Sequence, residues 1–367
     1  NFSKAILNSF FFAFFVLHQH SKKNKKMKIG ILTSGGDCPG INATIRGVGK
    51  TAINHYGMEV IGIHNGFSGL LHKDISTLTE RSLSGILNLG GTILGTAREK
   101  VFRKLITSPD EEDQQTIKKA YEELELDCLV CIGGNGTQRT TWMLSELGLN
   151  VVGIPKTIDN DVWGTDITFG FDTAVNIATE AIDRLHSTAS SHRRVMVIEM
   201  MGHHAGWIAL NSGMAGGADI ILLPELGYNM KVIIDKIKER VERGKPYSIV
   251  AVAEGIEIHG SKMRPASYFA HHIEKETGIE TRETVLGYVQ RGGAPSPFDR
   301  NLGTQLGGHA TTLISERKFG RMVSVKGRDI TDVPLEIVAG KLRLVTPDND
   351  LILQGKRIGI SFGITDD

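Results

Sequence analysis

Three short apolar runs in the first half of the chain each end in a turn richer in glycine and acid than a plain connection needs. Residues 29–33 run into Ser34-Gly35-Gly36-Asp37-Cys38-Pro39-Gly40, residues 126–132 into Gly133-Gly134-Asn135-Gly136-Thr137, and residues 151–154 into Pro155-Lys156-Thr157-Ile158-Asp159-Asn160-Asp161. Short apolar runs bounded by turn signals read as buried strands. With a further run at 60–64 they alternate with predicted helices over 42–54, 111–124 and 173–186. The second half keeps this rhythm, with strands predicted over 195–200, 220–223, 248–253 and 284–288 and helices over 230–243, 267–277 and 302–316. Strands alternating with helices demand βαβ units, a parallel sheet and right-handed crossovers. With 367 residues and 40% hydrophobic content the chain can bury two cores. The expected fold is therefore two Rossmann-like three-layer α/β/α domains with mainly parallel sheets. Residues 27–165 form the first and 166–284 the second. A segment of about 285–335 packs back on the first, and 336–367 is a C-terminal extension without a functional reading.

Residues 1–26 differ from the rest. Their apolar run, 10–17, is shorter than the roughly 20 residues of a membrane span. The basic cluster Lys22-Lys23-Asn24-Lys25-Lys26 follows that run where a secretory signal would have one in front. Met27 immediately precedes the first strand, so 1–26 is read as a disordered leader or start-site extension, with a membrane or targeting segment as the alternative. A net charge of +1 and 6% aromatic residues give no footing for nucleic acid. The three cysteines, Cys38, Cys128 and Cys131, fit a reducing compartment, hence the cytoplasm. Cys128 and Cys131 sit three apart on one strand, so they point to opposite faces and do not form a metal or redox pair.

In open parallel sheets ligands bind outside the carboxyl ends of the strands. Glycine pairs there let backbone amides approach an anion, and the helix start that follows adds partial positive charge. Neither a Walker A pattern nor GxGxxG is present, so a phosphate would be held by a different design. Each turn alone also reads as a tight connection, and 157–161 as a helix cap. Asp159 and Asp161, two apart on an extended strand end, would face one cleft. Phosphoryl transfer requires a phosphate cradle, a cation against developing charge and a base near the attacking hydroxyl. Asp159 is the candidate base. Arg98, Arg194, Arg282 and Arg291 lie near glycine, serine or strand ends, where bidentate phosphate contact is expected. His203 is a candidate substrate contact, and His271-His272 lies on a helix without evident function.

These stretches, with GGTILGTAR, SSHRR, EMMGHHAGW, AEG and ETRETVLGYVQRGG, occur in the order found in the phosphofructokinase family, from about Met27 to Arg300. The chain resembles that family, whose members phosphorylate the 1-hydroxyl of fructose 6-phosphate. The resemblance implies Asp159 as catalytic base, Thr157 beside the reacting groups and Asp161 orienting the site. It implies nucleotide contacts at Gly36, Arg98, Glu99, Gly134, Asn135, Gly136 and Thr137, and so a nucleotide-binding first domain. It implies sugar-phosphate contacts at Thr157, Ile158 and Asp159 of the first domain and at Met201, Gly202, His203 and Glu254 of the second, with Arg194, Arg282, Tyr288 and Arg291 around the 6-phosphate, and so a sugar-phosphate-binding second domain. Arg194 and Arg282 come from a neighbouring subunit in the family, so a homodimer or homotetramer with shared sites is expected.

Asn135 stands where many members have a magnesium-binding Asp; its carbonyl oxygen can still serve Mg2+, without charge. His203 replaces an Arg, Tyr288 a His, and His186 an effector-binding Arg, so activation by nucleoside diphosphate is expected to be weak or absent. Gly136 leaves room for the α-phosphate of ATP, whereas Lys156 is a pyrophosphate-type feature. The pair resembles the mixed-substrate group, and the steric argument at Gly136 favours ATP. The alternatives are a pyrophosphate-dependent enzyme, a catalytically silent binding subunit suggested by Asn135, and a lipid or NAD kinase, which would not explain TSGGDCPG or QRGG.

Overall fold

The computed structural model describes residues 26–97 and 111–365, without the side chain of Asp113. The expected leader up to residue 25 and the expected contacts Arg98 and Glu99 lie outside the described residues. The first half runs β1 (Lys28–Ser34), α1 (Ile41–Asn54), β2 (Glu59–Ile63), α2 (Phe67–His72), β3 (Ile75–Thr77), α3 (Glu111–Glu123), β4 (Cys128–Gly133), α4 (Asn135–Glu146) and β5 (Val151–Pro155). Then come α5 (Phe171–His192), β6 (Val195–Met200), α6 (Trp207–Ala215), β7 (Ile220–Leu222), α7 (Met230–Glu242), β8 (Ser248–Ala253), α8 (Pro265–Thr277) and β9 (Thr281–Val285). A 3-10 turn (Gly287–Arg291) leads to α9 (Pro297–Ser315), β10 (Arg321–Lys326), β11 (Asp329–Pro334), α10 (Leu335–Val338) and α11 (Asp350–Arg357).

The strands form a seven-stranded sheet ordered β11-β10-β5-β4-β1-β2-β3 and a four-stranded sheet ordered β7-β8-β6-β9. The smaller sheet is parallel throughout; in the larger one only the edge pairs, β2–β3 and β10–β11, are antiparallel. Every residue of β4, β5, β6 and β8 is buried, as befits parallel strands covered on both faces. Cys128 packs with Ile29 and Val130, and Cys131 with Leu32 and Leu129, on opposite faces of the sheet. Burial pushes both thiols up, Cys131 to about 12.

After the second sheet the chain returns to the first: β10 pairs in parallel with β5, Met322 opposite Gly153. The return depends on backbone contact between α9 and α1. A Cβ at Gly307 would lie 2.7 Å from the Thr44 carbonyl, and one at Gly47 would lie 2.7 Å from the Thr304 carbonyl. Only glycine permits that approach. The chain end then covers the exposed edge of the second sheet. Ile221 N–H donates to the Ser361 carbonyl at 2.9 Å, Ser361 N–H donates to Asp219 at 3.1 Å, and Phe362 is buried.

Three expectations differ from the structure. The strand expected over 284–288 is β9, three residues earlier, because an edge strand with exposed Arg282 and Glu283 lacks the apolar signal. Helix α5 runs beyond 186 through a serine-rich turn, anchored by buried Ala189. Helix α9 starts at Pro297, before the expected 302, because Ser296 caps it and Pro297 opens its first turn. Among the described residues no helix is long and apolar enough to cross a membrane.

Candidate active site

β5, β4 and β1 are parallel neighbours, so the three turns that follow them meet at one end of the larger sheet. They line a cavity of about 310 Å³. Its backbone wall is Gly35, Gly36 and the start of α4. Gly134 is the N-cap of α4, and no described side chain caps that end. The first amides of the helix are therefore left for whatever enters, an arrangement that suits an anion. A Cβ at Gly36 would lie 2.9 Å from the Arg291 guanidinium, whereas one at Gly136 would meet no described atom within 4 Å. Gly36 faces the Arg291 guanidinium; Gly136 faces open space.

Lys156, Thr157, Asp159 and Asp161 supply the polar wall. β5 ends at Pro155, so the two acids are not carried on a strand end as expected. The chain turns through Asn160 at φ 53°, a left-handed conformation, with the Asn160 Oδ1 accepting from Thr168 N–H at 3.0 Å. The turn brings both carboxylates to the same cavity. The Thr157 hydroxyl donates to Asp159 Oδ2 at 3.2 Å and accepts from the Asp159 amide at 3.0 Å. Asp159 Oδ1 is buried with no hydrogen-bond partner among the described residues. Asn135 Nδ2 donates to Asp161 Oδ2 at 2.7 Å, while Asn135 Oδ1 is also buried and without a described partner. Burial, with the neighbouring Asp159 charge, pushes Asp161 up to about 6. Such orphaned oxygens are costly in a core and characteristic of a site.

Lys156 is buried and its ammonium donates to the Gly36 carbonyl. Burial lowers its pKa, and the nearby Arg291 guanidinium lowers it further. Arg291 also donates to the Asp37 carbonyl at 3.1 Å. It lines this cavity and not the one that holds Tyr288, so the expected grouping of the two is not what the chain displays. Ile158, expected at a substrate contact, is fully buried in the apolar core and lines neither cavity among the described residues.

A larger cavity of about 710 Å³ opens at the carboxyl ends of the second sheet and shares His203 and His204 with the first. Met201, Glu254 and the exposed Tyr288 line it. Glu254 Oε1 accepts from the Gly202 and His203 amides at 3.3 and 3.0 Å, so one of its oxygens holds the turn between the cavities. Sequence reasoning missed Gln290, whose Oε1 accepts from Met201 N–H at 2.8 Å, and Glu199, Glu257 and Arg264 in the cavity wall. Position beside Arg291 could have singled out Gln290; the other three carry no local signal.

Arg194 and Arg282 line neither cavity formed by the described residues. They stand at the amino ends of β6 and β9, opposite the larger cavity, and both pair with Glu280, Arg194 at 2.5 Å. His186 lies apart from both cavities, its Nε2 2.7 Å from the Gly216 carbonyl.

The phosphofructokinase family profile matches residues 28–314. The "ATP-dependent 6-phosphofructokinase 3" of Bacteroides thetaiotaomicron is 68% identical over 92% of this chain and 100% of its own length. The "ATP-dependent 6-phosphofructokinase" of Spirochaeta thermophila is 50% identical over 93% of this chain and 99% of its own. Among solved structures, the phosphofructokinase of Pichia pastoris in the T-state superposes with a TM-score of 0.77 at 34% identity, over 86% of this chain and 35% of that one.

Proposed function

The chain belongs to the phosphofructokinase family, and we infer that it is an ATP-dependent 6-phosphofructokinase, moving the γ-phosphoryl group of ATP to the 1-hydroxyl of fructose 6-phosphate. The observation that carries the mechanism is Asp159: a buried carboxylate with one oxygen held by Thr157 and the other unpartnered among the described residues, in the wall of the smaller cavity, which shares His203 and His204 with the larger one. In this reading Asp159 Oδ1 takes the proton of the sugar hydroxyl as it attacks. The donor's phosphates lie against Gly35, Gly36 and the uncapped start of α4, with Lys156 and Arg291 as cations beside them. Thr157 fixes the base, and Asp161 with Asn135 shapes the wall behind it.

The sugar phosphate takes the larger cavity, against Met201, the Gly202-His203 turn held by Glu254, and Tyr288. Arg194 and Arg282 point the reading toward a homodimer or homotetramer, in which they would reach the 6-phosphate bound in a neighbouring copy. The proposed setting is the cytoplasm, where free thiols such as Cys38, Cys128 and Cys131 persist.

The family implies a magnesium ion. The described residues contain no group of three or more His, Cys, Asp or Glu able to cage one. Mg2+ at phosphate sites needs only one or two carboxylates together with substrate oxygens. The orphaned Asn135 Oδ1 and the adjacent Asp161 fit that donor set and would hold it. When bound, the ion supplies positive charge against the phosphates.

Lys156 favours pyrophosphate as a second reading, since its ammonium sits against the glycine cradle. The test is a donor-swap assay: fructose 6-phosphate with ATP or with pyrophosphate, for wild type and Gly136→Asp. A Cβ at 136 meets open space, so the variant should fold. Its carboxylate should lower kcat/KM for ATP at least about tenfold relative to pyrophosphate, by repulsion at the α-phosphate. Wild-type turnover with pyrophosphate alone would reverse the donor assignment.

A further inference from the structure

The C-terminal extension passes the active site. Arg343 N–H donates to the Asp161 carbonyl at 2.8 Å, and its guanidinium donates to the Asn160 carbonyl at 3.1 Å. Leu342 pairs with Val162 in an isolated antiparallel bridge and lines the smaller cavity. The same arginine stacks over Trp207 at 4.0 Å, and Trp207 Nε1 donates to the Arg343 carbonyl at 2.9 Å. Trp207 opens α6, directly after the turn that lines the larger cavity. Two residues further on, Glu225 Oε1 accepts from both Val345 N–H at 3.0 Å and Gly206 N–H at 2.9 Å.

We propose that Arg343 is a positioning residue for the transfer reaction, clamping the 157–161 turn against Trp207 and the 201–206 turn before it, so that Asp159 is held in the wall of the smaller cavity. The turn needs an external hold. Asn160 occupies a left-handed conformation, which asparagine tolerates better than most residues but which is still less favourable than the right-handed region and is kept in place by its contacts. Asn160 Oδ1 is fastened to Thr168 on one side; Arg343 fastens the Asn160 and Asp161 carbonyls on the other. An arginine suits the position because its planar fork donates to a carbonyl while its face lies on an indole. Arg343 itself lines neither cavity, so its effect passes through the turn.

The inference rests on Asp159 as the base, so its test has one arm that does not depend on turnover. Arg343→Ala and Arg343→Lys are compared with the full-length wild type by steady-state kinetics and by amide hydrogen exchange. Arg343→Ala should lower kcat about 10- to 100-fold, with KM for both substrates within about threefold, because misplacing a reacting group by an ångström costs up to about 100-fold. Exchange across 157–162 should quicken while β4 keeps its protection. Arg343→Lys, which retains the charge over Trp207, should fall between. The proposal is overturned by unchanged kcat, by exchange that quickens in β4 as much as in the turn, or by a loss confined to KM. A wild type without turnover would remove the assigned activity, and the exchange arm would still decide whether Arg343 holds the turn.

Discussion

The two ends of the strands treat charge in opposite ways. At the carboxyl ends, Lys156, Asp159 and Asp161 are buried, and buried oxygens of Asp159 and Asn135 have no described partner. At the amino ends of β6 and β9, Arg194 and Arg282 are satisfied by Glu280 near the surface. Exposed ion pairs contribute little to stability, while buried unpaired groups cost free energy. The first arrangement is what the proposed chemistry would explain, and the second adds little to the fold, which leaves those arginines available for the proposed role in a neighbouring copy.

The largest effect should come from removing the proposed base. Asp159→Ser should reduce kcat at least about 100-fold. Turnover near wild type would erase the distinction between the two ends. Asp161→Asn comes next. Burial raises the Asp161 pKa to about 6 from an ordinary value of 3.8. The neutral carboxyl therefore favours the fold fully below about pH 3.8, and that advantage is lost as the pH rises through about 6. At pH 8 the amide should stabilise the fold by up to about 3 kcal/mol in denaturant titrations, while activity suffers; a destabilised variant would show that the ionised acid is well paired.

Arg282→Ala probes the other end. If its guanidinium serves a sugar phosphate in a neighbouring copy, KM for fructose 6-phosphate should rise about 10- to 100-fold with the melting temperature little changed. An unchanged KM would leave Arg282 as a surface pair with Glu280. The smallest effect is expected at the exposed Arg184–Glu180 pair on α5, 2.5 Å apart. Glu180→Ala should shift Tm by no more than about 1–2 °C. A larger shift would mean that exposed pairs matter more here than the comparison assumes.

What the sequence could reveal followed the range of each interaction. The turns after β1, β4 and β5 were legible because glycine freedom, helix starts and apolar runs act within a few residues. Strand alternation was equally local, and it placed those turns at one end of a parallel sheet. β9 was displaced because an edge strand keeps polar residues on its open face, so periodicity pointed at the wrong window. The acids at 159 and 161 were grouped correctly but by the wrong geometry, since Asn160, a residue type that favours the left-handed region, turns the chain where an extended strand end was expected.

The chain by itself determined the layered α/β architecture, the glycine cradle and the acid pair beside it, because each depends on conformational preferences carried by neighbouring residues. Tertiary structure alone decided that Arg291 faces Gly36, that Gln290 holds Met201, and that Arg343 reaches Asn160 across 183 positions. Those contacts follow from how two sheets and a returning tail pack, and packing joins residues whose separation along the chain carries no information about their distance in space.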